Sequence, residues 1–209
     1  MTPKVFWHKR KIRKMSPLNK SEKLTLLEIA RKAIFLALTD HRCLEISSLT
    51  GALAAPAGAF VTLRKRGRLR GCIGRIAACE PLAIVVSECA VAAAMEDPRF
   101  PRLQVNDLPE LGIEISVLSE AQAVRPDQIE PGRHGLIISG EGRRGVLLPQ
   151  VAVEHRLSRE QFLEETCRKA GMPLNAWREP GIRIENFTAE VFSDSDFRTA
   201  ACNPPDSLE

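Results

Sequence analysis

Apolar residues return at helical spacing in three parts of this chain. Over 21–39 they recur every three, four or seven positions, which predicts a helix with one apolar face and Ser21 as its N-cap. Residues 82–95 are apolar almost throughout, which predicts a buried helix that opens at Pro81. A capping box that begins at Ser158 predicts a third helix, because its side chain and that of the residue three positions on can satisfy each other's backbone amides.

Other runs are β-branched or alternate between apolar and polar residues, as strands do. The runs are 59–63, 69–76, 111–119, 134–139, 146–149 and 182–192. Gly67 is the expected positive-φ position of the turn between the first two, so these form a hairpin. The last run fits one long strand or two short ones.

The order of these elements predicts the fold class. Hairpins dominate and strand–helix–strand alternation is poor, which favours an α+β protein with a mainly antiparallel sheet and flanking helices. We expect the folded part to span 21–192. Residues 1–20 and 193–209 lack apolar periodicity and are predicted to be tails, the first of them basic and disordered.

The charge of this 209-residue chain is unevenly distributed. The net charge is +4, yet seven of the 30 Lys and Arg residues lie in the first 20 positions, where there is no acid. The other residues therefore carry 23 cations against 26 anions, a net charge of −3. A basic tail can contact nucleic acid, but the chain has no tyrosine and few aromatic residues for stacking on bases. Nucleic-acid binding is accordingly ranked last of three functional hypotheses.

Six cysteines bear on compartment and chemistry: Cys43, Cys72, Cys79, Cys89, Cys167 and Cys202. Their spacing shows no C-x-x-C pair and no zinc-type pattern, so neither a metal nor a cofactor is predicted. With no apolar leader and no apolar run long enough for a membrane span, we expect a cytoplasmic protein with reduced thiols. The last three before the C-terminal tail, at 79, 89 and 167, lie in apolar contexts that predict core positions.

The hexapeptide Leu69–Gly74 is the main candidate for chemistry. It places Cys72 between two glycines and directly after Arg70, with further arginines nearby. Cationic neighbours favour a thiolate and attract anions, and glycine lets another molecule approach the backbone. The helix that opens at Pro81 follows closely, so its N-terminal amides are expected near this site. The alternative is that Cys72 is a small buried apolar residue and the glycines only shape a strand.

Seven segments, spread over most of residues 20–192, together resemble the AMMECR domain family, whose stand-alone prokaryotic members are called AmmeMemoRadiSam system protein A. The segments are 60–63, 69–74, 97–101, 114–119, 134–136, 148–152 and 169–171, and the second is the family's hallmark. Two positions depart from the pattern, because Arg75 stands where a small or polar residue is usual and Glu120 where a proline is common.

The resemblance implies an α+β protein in two unequal lobes, with the hallmark motif lining the cleft between them. The family name implies association with Memo-like and radical-SAM proteins. The resemblance implies no reaction, because the family has no established activity, so whether the chain is an enzyme stays open.

Three functional hypotheses follow. In the first, the cleft binds a small anionic ligand or a partner protein through Arg70, Gly71, Ile73, Gly74 and Arg75. In the second, a Cys-dependent enzyme acts on a small molecule or an RNA base, with Cys72 as nucleophile and His134 as base. The third is a nucleic-acid-binding module. For His134 the alternative is a turn histidine that bonds to the backbone.

Overall fold

The computed structural model describes residues 17–76 and 79–197, and its strands form two four-stranded antiparallel sheets. The helices are α1 (Lys20–Thr39), α2 (Gly51–Ala54), α3 (Leu82–Met95), α4 (Pro149–Glu154) and α5 (Arg159–Lys169). The strands are β1 (Ala59–Lys65), β2 (Arg68–Arg75), β3 (Leu111–Leu118), β4 (Gln122–Ala123), β5 (Gly135–Gly140), β6 (Arg143–Leu147), β7 (Arg183–Phe187) and β8 (Ala189–Ser193). The first sheet has the order β2-β1-β3-β8 and the second β4-β7-β5-β6. The predicted α+β class is confirmed.

One face of the first sheet carries the larger core. Alternate residues of β1 and β3, among them Val61, Leu63 and Ile115, are fully buried against α1 and α3. α3 lies between the sheet and α1, so most of the surface of α3 is removed from water. This position suits a helix that is apolar on all sides.

The second sheet packs against α5 on one face and against the first sheet on the other. Leu136 and Ile138 of β5 contact Phe162 and its neighbours on α5. The intervening residue, Ile137, belongs to a small cluster with Leu118 and Phe187 that lies between the sheets. Successive side chains of β5 therefore point alternately into the core beside α5 and into the core between the sheets.

The chain crosses from the second sheet to the first at Thr188. β7 pairs with β5 and β4 in the second sheet, whereas β8 pairs with β3 in the first. Thr188 donates its N–H to the Ser119 hydroxyl and accepts from the Ser119 N–H, both at 2.9 Å. The run 182–192 is therefore two short strands, one for each sheet.

Several local predictions differ from the structure. Asn19, not Ser21, caps α1, and Glu22 completes a capping box there. Pro81 is the N-cap of α3 and not its first residue, while α2 and α4 were not predicted, because four- and six-residue helices are too short to show a period.

The predicted tails are only partly covered by the described residues. Residues 1–16 and 198–209 lie outside them, but Leu18 is buried and bonds through its N–H to Glu190, so the fold begins before residue 21. At the other end, Asp194–Phe197 forms a 3₁₀ turn. Within the described residues, no helix is both long enough and apolar enough to cross a membrane.

Candidate functional site

The hexapeptide forms most of β2, and strand alternation divides its side chains between two faces. The positions of Gly71, Ile73 and Arg75 lie on the face that packs against α3. Cys72 and Gly74 lie on the opposite face, which no helix of the described residues covers and which the second sheet covers only in part. We call that surface the open face; it comprises the β1, β2, β3 and β8 residues that point away from α1 and α3. The predicted site residues 71–75 are thus contiguous in sequence but do not lie on one surface.

Packing explains why both positions of the motif, 71 and 74, are occupied by glycine. A Cβ at Gly71 would lie 2.0 Å from the Ala93 carbonyl oxygen, so only glycine lets α3 pack this closely on the strand. A Cβ at Gly74 would lie 2.2 Å from the ring of Phe60, which covers that position from the neighbouring strand. Contact with Ala93 also shows that the C-terminal half of α3, and not its N-terminus, lies beside Cys72. The expectation of N-terminal amides near the thiol is therefore wrong.

The Cys72 side chain is half-buried on the open face and has one polar neighbour there. Thr62, its partner on β1, donates its hydroxyl proton to the sulfur over 3.3 Å. The same register continues across the sheet to Glu114 on β3 and Ser193 on β8. A row of four polar side chains therefore crosses the open face from one edge of the sheet to the other.

The backbone of Cys72 is held by side chains in place of a neighbouring strand. β2 is an edge strand, and the loop after α3 lies along it. The Oδ2 atom of Asp97 accepts from the Cys72 N–H at 2.8 Å, and the Arg99 guanidinium donates to the Cys72 carbonyl at 3.1 Å. Arg99 also forms two bonds to the Asp97 carboxylate, at 2.6 and 2.9 Å. We call Asp97 and Arg99 the clamp.

The clamp depends on an ionised carboxylate. Asp97 is 4% exposed, and burial alone would favour its neutral form. The bonds from the Arg99 guanidinium, followed by those from the backbone amides of Cys72 and Arg99, outweigh burial and hold the pKa of Asp97 well below its usual range. The clamp therefore stays charged at every pH near neutrality.

Arg70 is engaged with the same loop. Its guanidinium donates to the carbonyls of Pro101 at 2.5 Å and of Arg102 at 3.3 Å. These bonds tie the loop to β2 on the far side of the clamp. Two of the five donor protons of Arg70 therefore have a structural use.

Arg75 lies on the face away from the thiol. It pairs with Glu88 of α3 at 2.7 Å and with Glu80 at 2.8 Å. Its charge is therefore largely balanced by the protein, and strand alternation directs it away from any ligand that contacts Cys72.

His134 lies in the second sheet's half of the molecule, in the turn before β5. It is 8% exposed, and its Nδ1 atom accepts from the Glu130 N–H at 3.1 Å. Burial lowers the pKa of its imidazole, so the neutral ring that can accept this bond is favoured. Among the described residues no hydrogen bond joins His134 to Cys72, and its charged neighbours are Glu130 and Arg133 of its own turn.

The other described cysteines divide by burial. Cys89 and Cys167 are buried as predicted, and burial raises the pKa of both thiols, that of Cys89 to about 11. Cys43 and Cys79 are exposed, so the core assignment of Cys79 is wrong. In the described part of the chain, no three His, Cys, Asp or Glu side chains are grouped as metal ligands would be.

Sequence reasoning missed the residues that surround the thiol. The sequence predicts Asp97 and Arg99 only as part of the family-like segment 97–101, and Thr62 only as part of a strand. The sequence does offer one signal, because an acid two residues before an arginine, just after an apolar helix, can pair with that arginine, and it must find such a cation or backbone donors once it is buried.

Comparisons with known proteins agree with this architecture. The family model AMMECR1 matches residues 27–192. A protein of Methanothermobacter thermautotrophicus is 39% identical over 189 residues, covering 87% of this chain and 98% of that protein. Protein MK0488 of Methanopyrus kandleri is 40% identical over 191 residues, covering 84% and 92%. The crystal structure of uncharacterized protein PH0010 from Pyrococcus horikoshii matches with a TM-score of 0.75 and 35% identity, covering 81% of this chain and 89% of that one.

Proposed function

The chain belongs to the AMMECR1 family, and from this premise we propose that it binds a small polar ligand on the open face, in contact with Cys72. The observation that carries the proposal is the clamp. Both backbone polar groups of Cys72 are fixed by bonds to the clamp. Its thiol faces a polar row, in which the Thr62 hydroxyl is its one hydrogen-bond partner among the described residues. A rigid backbone beneath an accessible side chain is the arrangement that functional sites need.

The polar character of the row supports a ligand and argues against a purely structural cysteine. A structural cysteine would be packed by apolar groups, as Cys89 of α3 and Cys167 of α5 are. Cys72 instead lies beside Thr62, and Glu114 follows in the same row. Polar side chains on a face that is partly enclosed by the second sheet supply the convergent donors and acceptors typical of small-molecule sites.

The partners of Arg70 and Arg75 change which ligand is expected. An anion bound by these two guanidinium groups would have to compete with bonds that already hold the fold together. We therefore assign recognition to the side chains of the open face, and give Arg70 the role of holding the loop that carries the clamp.

A second candidate function is covalent chemistry at Cys72, and the hydroxyl of Thr62 favours it. A donor directed at the sulfur suits a sulfur that carries negative charge, which is the nucleophilic form. In this version Glu114 is the carboxylate nearest in register, two strands away. The two functions can be told apart by their outcome. Binding leaves the ligand unchanged, whereas catalysis converts a substrate into a product.

Differential alkylation tests the site. The experiment uses a variant with Cys43→Ser, Cys79→Ser and Cys202→Ser, so that Cys72 is the accessible thiol that remains. We expect iodoacetamide at neutral pH to add one group to the folded variant and none after a further Cys72→Ser change, with Cys89 and Cys167 protected by burial. Mass spectrometry of the intact protein counts the groups, and screening polar small molecules for protection then identifies ligands.

The proposal is wrong if Cys72 reacts only after unfolding, because its sulfur would then be inaccessible to any ligand. Adding Thr62→Val separates the two candidate functions. A ligand site without chemistry keeps its alkylation rate within about twofold, whereas an activated nucleophile slows by about tenfold or more on losing a charge-assisted hydrogen bond.

Association with Memo-like and radical-SAM proteins is a separate proposal that rests on the family's name. Co-expression with one protein of each kind, followed by affinity purification, tests it, and a Cys72→Ser variant shows whether the open face takes part. Nucleic-acid binding predicts a steep loss of affinity with salt, and removing residues 1–20 tests whether the basic segment supplies it.

A further inference from the structure

A cavity of about 800 Å³ opens at the end of the first sheet where β8 stops. β8 pairs with β3 only from Glu114 onward, so the first residues of β3 pair with β1 on one side and have no strand on the other. Asp194 accepts from the Ile113 N–H there, and Arg31 donates to the Leu111 carbonyl. The cavity borders the open face, since Glu114 and Ser193 of the polar row line it.

The charges that line this cavity are only partly balanced by one another. Arg31 pairs with Asp194 and Arg66 pairs with Glu110, both at 2.5 Å. The lining side chains that form no ion pair in the described part of the chain are Arg64, Glu114 and Glu28. One cation and two carboxylates therefore remain available to a ligand.

Two of these groups are close enough to act on one small molecule. Arg64 is paired with Gly112, so Glu114 is its diagonal neighbour on the same face of the sheet. Diagonal neighbours in antiparallel strands lie about 7–8 Å apart at Cα, and an arginine and a glutamate reach across that distance easily. They nevertheless form no salt bridge with each other.

We propose that this cavity binds a small zwitterion with one carboxylate and one ammonium group, of the amino-acid or short-peptide class. Arg64 takes the carboxylate through a bidentate contact, and Glu114 accepts from the ammonium. Glu28, which lines the cavity from α1, gives the site a slight preference for ligands of net positive charge. The proposal rests on the proposed function in one respect, namely that it identifies the class of ligand for the open face.

Neither simpler class of ligand satisfies the cavity. A plain anion would meet two carboxylates that have no cation of their own, and a plain amine would leave Arg64 unused. An uncharged ligand would have to displace water from three charged groups without replacing its interactions. The balance of one cation and two anions selects a molecule that carries both signs.

Titration of the full chain with four dipeptide probes tests the proposal. Glycylglycine is the reference, N-acetylglycylglycine lacks the ammonium group, glycylglycinamide lacks the carboxylate, and glycyl-lysine adds a positive charge. We expect glycylglycine to bind, each blocked probe to bind about tenfold more weakly, and glycyl-lysine to bind at least as well as the reference. Isothermal titration calorimetry gives the affinities, and amide shifts of Gly112 and Thr62 in NMR spectra place the site.

Matched variants assign each contact. Glu114→Gln should remove the difference between glycylglycine and its acetylated form, and Arg64→Gln should remove the difference between glycylglycine and the amide. Arg68→Gln, at an exposed hairpin cation that does not line the cavity, should leave all affinities unchanged. Equal affinities for all four probes, or shifts confined to residues away from β1 and β3, would overturn the proposal.

Alkylation of Cys72, measured beside dipeptide binding on the same protein, distinguishes this inference from the proposed function. If glycylglycine binds at Arg64 and Glu114 while Cys72 is inaccessible to alkylation, the proposed function fails and the zwitterion site stands. If Cys72 is protected by other ligands but no dipeptide binds, the zwitterion inference alone fails.

Discussion

The first hairpin, β1–β2, and the second, β5–β6, share two backbone features but carry side chains of different character beside one of them. Each turns through two positive-φ residues, Arg66–Gly67 in the first and Glu141–Gly142 in the second. Each return strand places a glycine against a helix, Gly71 against α3 and Gly145 against α5. The pair next to that glycine is Thr62 with Cys72 in one hairpin and Ile137 with Val146 in the other.

That difference lies where the proposed ligand site would use polar side chains and stability alone would not require them. Ile137 and Val146 lie on the face of the second hairpin away from α5, where they fill the core between the sheets. Thr62 and Cys72 stand at the equivalent positions and contribute little apolar surface. An apolar pair would stabilise the first hairpin at least as well, and the proposed ligand site on the open face would account for the polar pair.

The largest effect should come from the feature that the hairpins share. Gly71→Ala and Gly145→Ala would place a Cβ at 2.0 Å from the Ala93 oxygen and at 2.4 Å from the Thr166 oxygen. We expect each to lower the free energy of unfolding by about 3 kcal/mol or more, since the helix must move outward. Urea unfolding measures this. Gly112→Ala is the control, because its added Cβ would make ordinary contact at 3.7 Å.

The next effect belongs to the first hairpin alone, because only its edge is held by the clamp. Asp97→Asn should cost about 2 kcal/mol at pH 6, since charge-assisted bonds to Arg99 and Cys72 are lost. The folded pKa of Asp97 lies below its unfolded value of about 3.9, so its contribution is complete above that pH and declines as pH falls.

Urea unfolding of the wild type and of Asp97→Asn at pH 6 and pH 3 measures the difference in stability between them. This difference should have its full value at pH 6 and be smaller at pH 3. A stability difference that is unchanged or larger at pH 3 would show that the charge of the Asp97 carboxylate does not stabilise the edge strand β2.

Exchanging the distinctive side chains should give the smallest and most informative effects. Ile137→Thr should destabilise by about 2 kcal/mol, because it removes buried methyl groups and adds a hydroxyl. Thr62→Ile should change stability by less than about 1 kcal/mol, yet block ligand binding on the open face. Calorimetric unfolding gives the first quantity and dipeptide titration the second. Equal losses of stability would remove the distinction between the hairpins.

Local features of the fold could be predicted from the sequence, because their causes are local. The turn at Gly67 requires a positive φ, and the capping box at Ser158 pairs groups three residues apart. The α+β class followed from the order of such signals. The two strands within 182–192 could be suspected but not assigned, because the crossing at Thr188 depends on Ser119, 69 residues earlier.

The candidate site was less predictable, because its contacts join distant segments. The hexapeptide identified Cys72, but the partners of Arg70 and Arg75 come from residues 101–102 and from α3. Because Arg70 and Arg75 are close in sequence, they were expected to form one cationic cluster. In the folded strand, alternation and their different partners separate them. Cys79 was misplaced for a related reason, since small apolar neighbours are equally common in exposed loops.

The position of β8 has a consequence for how the chain is made. Three strands of the first sheet are complete by Leu118, but the fourth is Ala189–Ser193 and follows the entire second sheet. On the ribosome, the edge of β3 must wait without its neighbour while about 70 further residues are translated, a period in which exposed edges are prone to pair with other chains. Loss of the last strand by premature termination would therefore leave that hazard permanent.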